Sequence, residues 1–206
     1  MEVYRIPFST NVERVALGAG HKGLEVDWVD VDAADRSEVE RVSGQRLVPV
    51  LVDDGRVVVD STDILRYLEV RTPDPPLFPS EPSRRAAVDI FLDWFNRVWK
   101  RPPNEMEAEL SKPEDRRDMA RVDRLGKAMA GYLDLFEAML TGRDHLLGEF
   151  SAADIAAFPF VKYAVIPPEP GDTYLFHRIL TEHQKPGSTH PRVSDWIARM
   201  DRRPRA

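Results

Sequence analysis

A short polar segment, Asp60-Ser61-Thr62-Asp63, is the part of this sequence best suited to bind a small charged molecule. It follows an apolar segment, Leu47 to Leu51, and the turn signal Asp54-Gly55. A helix that opens on Asp-Ser presents unpaired backbone N–H groups and two side-chain oxygens at its first turn. These groups suit a zwitterion with a free carboxylate and a free amine. The segment therefore predicts a site for an amino-acid headgroup.

Pro49 stands between two valines in the preceding apolar segment. Proline removes a ladder donor from a strand, so it is tolerated there only at an edge, a bulge or a cis bond. We predict that the Val48–Pro49 bond is cis, which would leave the backbone N–H and C=O of Val48 to pair with an extended peptide. Together with Asp60 and Ser61, Val48 would form a clamp for a peptide thiol. An ordinary hairpin followed by a capped helix is the alternative.

A hydroxyl that could activate such a thiol is found in the turn after the first predicted strand. Ser9 and Thr10 stand where a helix begins, and either could donate a hydrogen bond to a thiolate. Making a thiol of pKa near 8.5 mostly anionic at neutral pH requires about 3 kcal/mol. A hydrogen bond to the charged sulfur contributes about 1.5–3 kcal/mol, and a helix N-terminus adds about 0.3–2 kcal/mol. Ser9 and Thr10 are therefore the candidate donors, and a plain helix cap is the alternative.

Composition excludes several classes of function. The chain has 206 residues, enough for two small domains, and 42% of them are hydrophobic. It contains no cysteine, so disulfides, zinc–thiolate sites and redox-active thiols are excluded. A net charge of −6 argues against binding nucleic acid. The five histidines show no ligand spacing, and no metal site is expected. With no long apolar run at the N-terminus or elsewhere, we expect a soluble cytoplasmic protein with no membrane partner.

The order of predicted elements indicates two domains of different class. Strand and helix patterns alternate as βαβ and then ββα over residues 1–72, which is the order of a thioredoxin-like α/β domain. Five prolines fall in the eleven residues from Thr72 to Pro82, so residues 73–82 are predicted to be a linker. Residues 83–206 show only helical patterns and predict an all-α bundle. Tyr4, in the first strand, is expected to have a core or interface role rather than to serve as a catalytic hydroxyl.

Helix signals in the second domain include two cap patterns and one break. Ser111 and Ser151 each precede a carboxylate by three residues, at Glu114 and Asp154, as in a reciprocal capping box. The helix after Ser151 is apolar on all sides, which is typical of a helix in a domain core. Pro102-Pro103 is predicted to break the first bundle helix.

Three separated motifs in this order resemble the glutathione transferases. Val48-Pro49 with Asp60-Ser61 is similar to the thiol-binding part of their thioredoxin-like domain. Phe150 to Ile155 resembles the capped central helix, usually written Phe-Ser-x-Ala-Asp-Ile. Pro191 to Pro204, with its tryptophan and its arginine-proline stop, resembles the final helix of the family. With the proline-rich linker, the resemblance extends over nearly the whole chain.

The resemblance implies roles for individual residues. It assigns Val48 as the backbone partner of the cysteinyl part of glutathione, Pro49 as the cis residue, and Asp60 with Ser61 as the contacts of the γ-glutamyl end. The segment that starts at Ser9 aligns with the Ser-Ser-Cys-Ser-Trp-Arg-Val-Arg stretch of zeta-class enzymes. This alignment implies a serine-type enzyme in which Ser9 is catalytic, Thr10 is its neighbour, and an asparagine stands in the position of the cysteine.

One departure from the family leaves the identity of the thiol open. Leu47 stands where the family often has lysine or glutamine before Val-Pro. Gln45 or Arg46 would then reach the glycyl carboxylate, or the thiol is a small thiol other than glutathione.

The resemblance further implies an electrophile pocket and a class of activity. The pocket would be lined from the first bundle helix, with Phe95, Trp99 and Arg101 as candidates. The implied activity is conjugation, addition or isomerisation of a small hydrophobic electrophile by the activated thiol. A zeta-like isomerase of the maleylacetoacetate type and a non-catalytic ligand-binding member are the alternatives. A homodimer is expected.

Overall fold

The computed structural model describes residues 1–187 and 189–206, which form two compact units. Residues 1–82 and 203–206 make up the first unit, and residues 83–202 make up the second. Residues 203–206, which the sequence pattern assigned to the helical domain, thus pack with the first unit. The Ala206 N–H donates to the Ala16 carbonyl at 3.0 Å, and the indole of Trp28 donates to the Ala206 carbonyl at 3.2 Å.

The first unit has the predicted thioredoxin-like order of elements, although two of them are shorter than their patterns. Its second strand is limited to four residues. Its second helix begins only at Ser37, because the Asp32 and Asp35 carboxylates accept bonds from the Ala34 and Ser37 N–H groups and fold the preceding segment into turns. In chain order the elements are β1 (Glu2–Arg5), α1 (Thr10–His21), β2 (Asp27–Asp30), α2 (Ser37–Ser43), β3 (Val50–Asp53), β4 (Arg56–Val59) and α3 (Ser61–Arg71).

The four strands form one sheet in the order β2-β1-β3-β4. β1 pairs parallel with β2 and antiparallel with β3, and β3 pairs antiparallel with β4. Since side chains alternate along a strand, Val3 and Leu51 pack on one face with α1 and α3. Tyr4 and Val50 pack on the other face against Val39 of α2. The expected core role of Tyr4 is confirmed, because only 7% of the residue is exposed.

The proline-rich segment is fixed to the first unit by an ion pair between a buried lysine and a partly buried glutamate. The Lys22 ammonium lies 2.7 Å from the Glu69 carboxylate and also donates to the carbonyls of Thr72 and Pro75. The same carboxylate accepts the backbone N–H groups of Leu77 and Phe78, two apolar residues buried within the segment. The segment is therefore anchored along its length rather than free as a tether.

The second unit is helical, as predicted. Its helices are α4 (Pro82–Trp94), α5 (Arg101–Leu110), α6 (Met119–Met139), α7 (Ala152–Val161), α8 (Leu175–His183) and α9 (Pro191–Asp201). A π-helical turn, Phe95–Trp99, separates α4 from α5. Within residues 1–187 and 189–206, no helix is long and apolar enough to cross a membrane.

Two predicted boundaries in this unit are wrong. Pro102 and Pro103 do not break a helix but lie in the first turn of α5, where backbone N–H groups have no intrahelical acceptor to lose. Ser111 does not begin a helix but ends α5, and α6 is capped instead by Asp118, whose carboxylate accepts the Arg121 N–H at 2.8 Å.

The predicted capping box at the start of α7 is confirmed. Ser151 accepts the Ala153 N–H, and Asp154 accepts the Ser151 N–H at 3.1 Å. The Asp154 carboxylate is fully buried and also accepts bonds from the Leu146 N–H and the Trp196 indole. Asp154 therefore joins α7, α9 and the loop before α7.

Candidate active site

The sheet brings the three predicted thiol-binding segments to one edge. Tyr4 of β1 lies opposite Val50 of β3, and Val50 lies opposite Val59 of β4. Because β1 and β4 both run antiparallel to β3, the ends of β1 and β4 meet the start of β3 at the same edge. The turn that carries Ser9 follows β1, Pro49 precedes β3, and Asp60 follows β4. Segments that are up to 51 residues apart in the chain are thus neighbours.

Ser9 is the N-cap of α1 and has a weak capping bond. Its hydroxyl oxygen accepts the Val12 N–H at 3.5 Å, the limit of a hydrogen bond. The side chain is partly exposed, whereas Thr10 is buried with 6% exposure. Phe8, directly before Ser9, has a φ of 64°, a conformation that non-glycine residues seldom adopt and that is often found at functional sites. Since a hydroxyl can accept and donate at once, the cap leaves the Ser9 proton available.

The segment before β3 contains the predicted cis bond and a change from exposed to buried residues. The Val48–Pro49 bond is cis, as predicted. Val48 is partly exposed and Pro49 is buried, while Leu47 projects into solvent with 67% exposure.

The start of α3 presents one exposed and one buried polar side chain. Asp60 is the N-cap, with its Oδ1 accepting the Thr62 N–H at 2.7 Å, and its carboxylate is exposed. Its φ of 68° is in the left-handed region that favours glycine. Ser61 is only 3% exposed and follows as the first helical residue. An exposed carboxylate beside a hydroxyl at a helix N-terminus suits a zwitterion.

Arg14 belongs to this site but was given no role by the sequence patterns. Its side chain is 1% exposed in α1, and its Nη1 donates to Ser61 Oγ at 3.2 Å. Burial lowers the pKa of Arg14 to about 9, and the charge of Asp60 raises it. The guanidinium is therefore protonated at neutral pH. Its position in the segment aligned with the zeta class was the only signal in the sequence.

The two candidates for the glycyl carboxylate are engaged elsewhere. The Gln45 side-chain amide donates to the Leu47 carbonyl at 2.7 Å and accepts the Leu47 N–H at 2.6 Å. Both polar atoms of this amide therefore hold the loop before Pro49. Arg46 pairs with Glu40 at 2.9 Å on the surface, where an ion pair is weak enough to exchange for a ligand.

The structure buries two of the three residues predicted for the electrophile pocket. Phe95 is 0% exposed and Trp99 is 1% exposed, and their rings stack 4.4 Å apart in the core of the second unit. They pack against Phe160, which is also buried. Since neither ring has surface to offer a ligand, the structure does not support this assignment. Arg101 is exposed and forms an ion pair with Glu105 at 2.6 Å.

Comparisons with known proteins identify the family. Residues 3–76 match the glutathione S-transferase N-terminal domain, and residues 119–199 match the C-terminal domain. Protein IN2-1 homolog A of Oryza sativa subsp. japonica is 27% identical over 159 residues, which cover 74% of this chain but 59% of that relative. Glutathione S-transferase F10 of Arabidopsis thaliana is 29% identical over 175 residues, which cover 78% of this chain and 80% of that relative.

Solved structures agree with the sequence matches. A theta-class glutathione S-transferase from Xanthomonas axonopodis pv. citri, solved with glutathione bound, superposes with a TM-score of 0.73 at 25% identity and covers 98% of this chain and 93% of that chain. The two domain matches span more than half of the chain and follow the order of the two units described above. This chain belongs to the glutathione S-transferase family and is a transferase.

Proposed function

We propose that this protein is a serine-type glutathione transferase that activates glutathione as a thiolate for attack on a small hydrophobic electrophile. The observation that carries the proposal is the meeting of Ser9, Val48-Pro49 and Asp60-Ser61 at one edge of the sheet. The bound glutathione in the related theta-class structure supports the choice of thiol.

Each polar group at this edge has a separate task in the proposed reaction. The exposed Asp60 carboxylate would hold the γ-glutamyl amine, and Ser61 would donate to the γ-glutamyl carboxylate. The backbone of Val48 would pair with the cysteinyl residue. Ser9 would donate to the sulfur at the N-terminus of α1, where the helix dipole favours negative charge. These groups would lower the thiol pKa and position the sulfur for attack.

The identity of the thiol is tested by binding. Equilibrium dialysis of the purified protein with glutathione, cysteine and γ-glutamylcysteine should give the lowest Kd for glutathione. The Asp60→Ala variant should lose the preference for glutathione over cysteine but not over γ-glutamylcysteine, which has the same γ-glutamyl end. The fold should be retained, because Asp60 is exposed and its contribution to stability is limited to one helix cap. A protein that binds none of these thiols at millimolar concentration would contradict the proposal.

Activity assays distinguish the proposed transferase from the two alternative functions. Conjugation of glutathione to an activated aryl halide at a rate above the uncatalysed reaction supports the transferase. Isomerisation of maleylacetoacetate without conjugation supports the zeta-like enzyme, whose cysteine is replaced here by Asn11. Glutathione binding without either reaction supports a non-catalytic member.

We also propose that the protein acts in detoxification as a cytoplasmic homodimer. The aromatic residues Phe91 of α4 and Phe95 of the π-helical turn are buried in the core and offer no dimer surface. Exposed apolar side chains in this region are Ile90 of α4, at 70% exposure, and Val98 of the π-helical turn, at 44%, and these residues support the proposal. Sedimentation of the protein at micromolar concentration should give twice the mass of the 23.5 kDa chain.

A further inference from the structure

The buried Arg14 guanidinium needs an explanation beyond packing. Its side chain is among the largest fully buried ones of the described chain, in a helix whose neighbouring core residues, Val15 and Ala19, are apolar. Removing a guanidinium from water is costly, and an apolar side chain of similar volume fills such a position at lower cost. The hydrogen bond to Ser61 directs the charge of Arg14 towards the start of α3.

The chemistry of this bond determines what Ser61 can do. Arginine has only donors, so Ser61 Oγ is the acceptor at 3.2 Å, and the hydroxyl proton remains available for a second partner. A hydroxyl whose oxygen accepts a bond from a cation becomes a stronger donor, because linked hydrogen bonds polarise one another. Arg14 therefore favours an anion as the second partner of Ser61.

We propose that Arg14 is a positioning residue that acts through Ser61 and makes this site selective for a thiol with a free γ-glutamyl α-carboxylate. The inference rests on the proposed function, because it takes the headgroup of glutathione as the ligand of Asp60 and Ser61. It adds a residue that touches no ligand and a basis for discrimination between headgroups.

The charge of Asp60 explains why such a residue is needed. Asp60 attracts the amine of the headgroup, but its carboxylate repels the ligand carboxylate that must bind beside it at Ser61. A buried cation behind Ser61 offsets this repulsion in a region where water screens charges poorly. Without Arg14, the site would favour a headgroup that has an amine and no carboxylate.

The experiment compares two peptides that differ only in this carboxylate. Binding of glutathione and of 4-aminobutyryl-cysteinyl-glycine is measured by calorimetry for the wild type and for Arg14→Met, Ser61→Ala and the double variant. We expect Arg14→Met to weaken glutathione binding about 10-fold, equivalent to about 1.4 kcal/mol, and to change binding of the analogue by less than about 2-fold. The double variant should bind glutathione no worse than Ser61→Ala, since Arg14 acts through that hydroxyl.

Control variants keep the test decisive. Arg66→Met removes a cation from the exposed side of α3, where it pairs with Asp63, and should leave the ratio of the two affinities unchanged. Arg14→Lys retains the charge and should keep part of the preference for glutathione, which covers the case in which the methionine variant does not fold.

Each other outcome contradicts a defined claim. Equal weakening of both peptides by Arg14→Met would make Arg14 a purely structural residue and overturn the inference. Equal binding of the two peptides by the wild-type protein would also overturn it, while the proposed function would stand. A wild-type protein that binds neither peptide would overturn both.

Discussion

Replacing Ser9 by alanine separates activation of a thiol from capping of a helix. The cap is worth little here, because the Val12 N–H lies 3.5 Å from the hydroxyl oxygen. Its loss should cost about 0.5 kcal/mol of folding stability, the low end for N-caps. A hydrogen bond to a thiolate contributes more, about 1.5–3 kcal/mol. Ser9→Ala should therefore change activity much more than stability.

The size of the effect follows from the pKa of the bound thiol. Loss of the donor should raise that pKa by about one to two units, or 1.4–2.7 kcal/mol. At neutral pH and saturating glutathione, turnover should fall about 10- to 100-fold. The Kd of glutathione should change little, because Val48, Asp60 and Ser61 are proposed to hold the peptide.

The pH dependence of turnover is the measurement that checks this reasoning. The alkaline-rising limb of kcat should move up by about one to two pH units in Ser9→Ala, and the two rates should converge above about pH 9, where any thiol is mostly ionised. Ser9→Thr, which keeps the hydroxyl, should restore most of the rate. Thr10→Val removes the buried neighbouring hydroxyl and is the matched control. An unshifted limb in Ser9→Ala, with a shifted one in Thr10→Val, would assign the donor role to Thr10.

Three further predictions concern stability. Lys22→Met leaves the partly buried Glu69 carboxylate without its cation and should lower the free energy of unfolding in urea by about 1.5–3 kcal/mol; a loss under about 1 kcal/mol would show that the pair does not anchor the proline segment. Asp154→Asn replaces one acceptor oxygen by a donor and should cost about 1.5–3 kcal/mol for each bond lost, measured by the fluorescence of the four tryptophans. Hydrogen bonds from the Asp118 N–H and Lys112 hold the pKa of Glu109 below its ordinary value. Its contribution to folding stability is therefore complete above the ordinary pKa of a glutamate and is lost as the pH falls through the lowered pKa. Glu109→Gln should reduce the loss of unfolding free energy on acidification, and an unchanged pH dependence would contradict the assignment.

Structural features that are set by adjacent residues in the chain could be predicted from the sequence. The element order of the first unit, the cis bond at Pro49 and the capping box from Ser151 to Asp154 all follow from the types and spacing of adjacent residues. A cap is satisfied within one helical turn, and a proline limits its own backbone and that of the preceding residue. Such features need no knowledge of distant contacts.

Helix boundaries were predicted wrongly where one local sequence signal is compatible with two structures. Two consecutive prolines end a helix in its interior but are accepted in its first turn, so Pro102-Pro103 alone did not distinguish a break from a start. Ser111 and Asp118 both have side chains suited to a helix cap. Only the placement of Glu109 as a buried acceptor for the Asp118 N–H shows which one precedes α6.

Contacts between distant segments were decided by the tertiary structure. Arg14 donates to Ser61, which is 47 residues away, and Phe95 and Trp99 pack against Phe160 of another helix. An arginine or an aromatic residue reads the same in the sequence whether it lines a pocket or fills a core, because its exposure is set by the residues that pack against it. The sequence alone determined which residues could do the chemistry, and the packing determined which of them have a surface on which to do it.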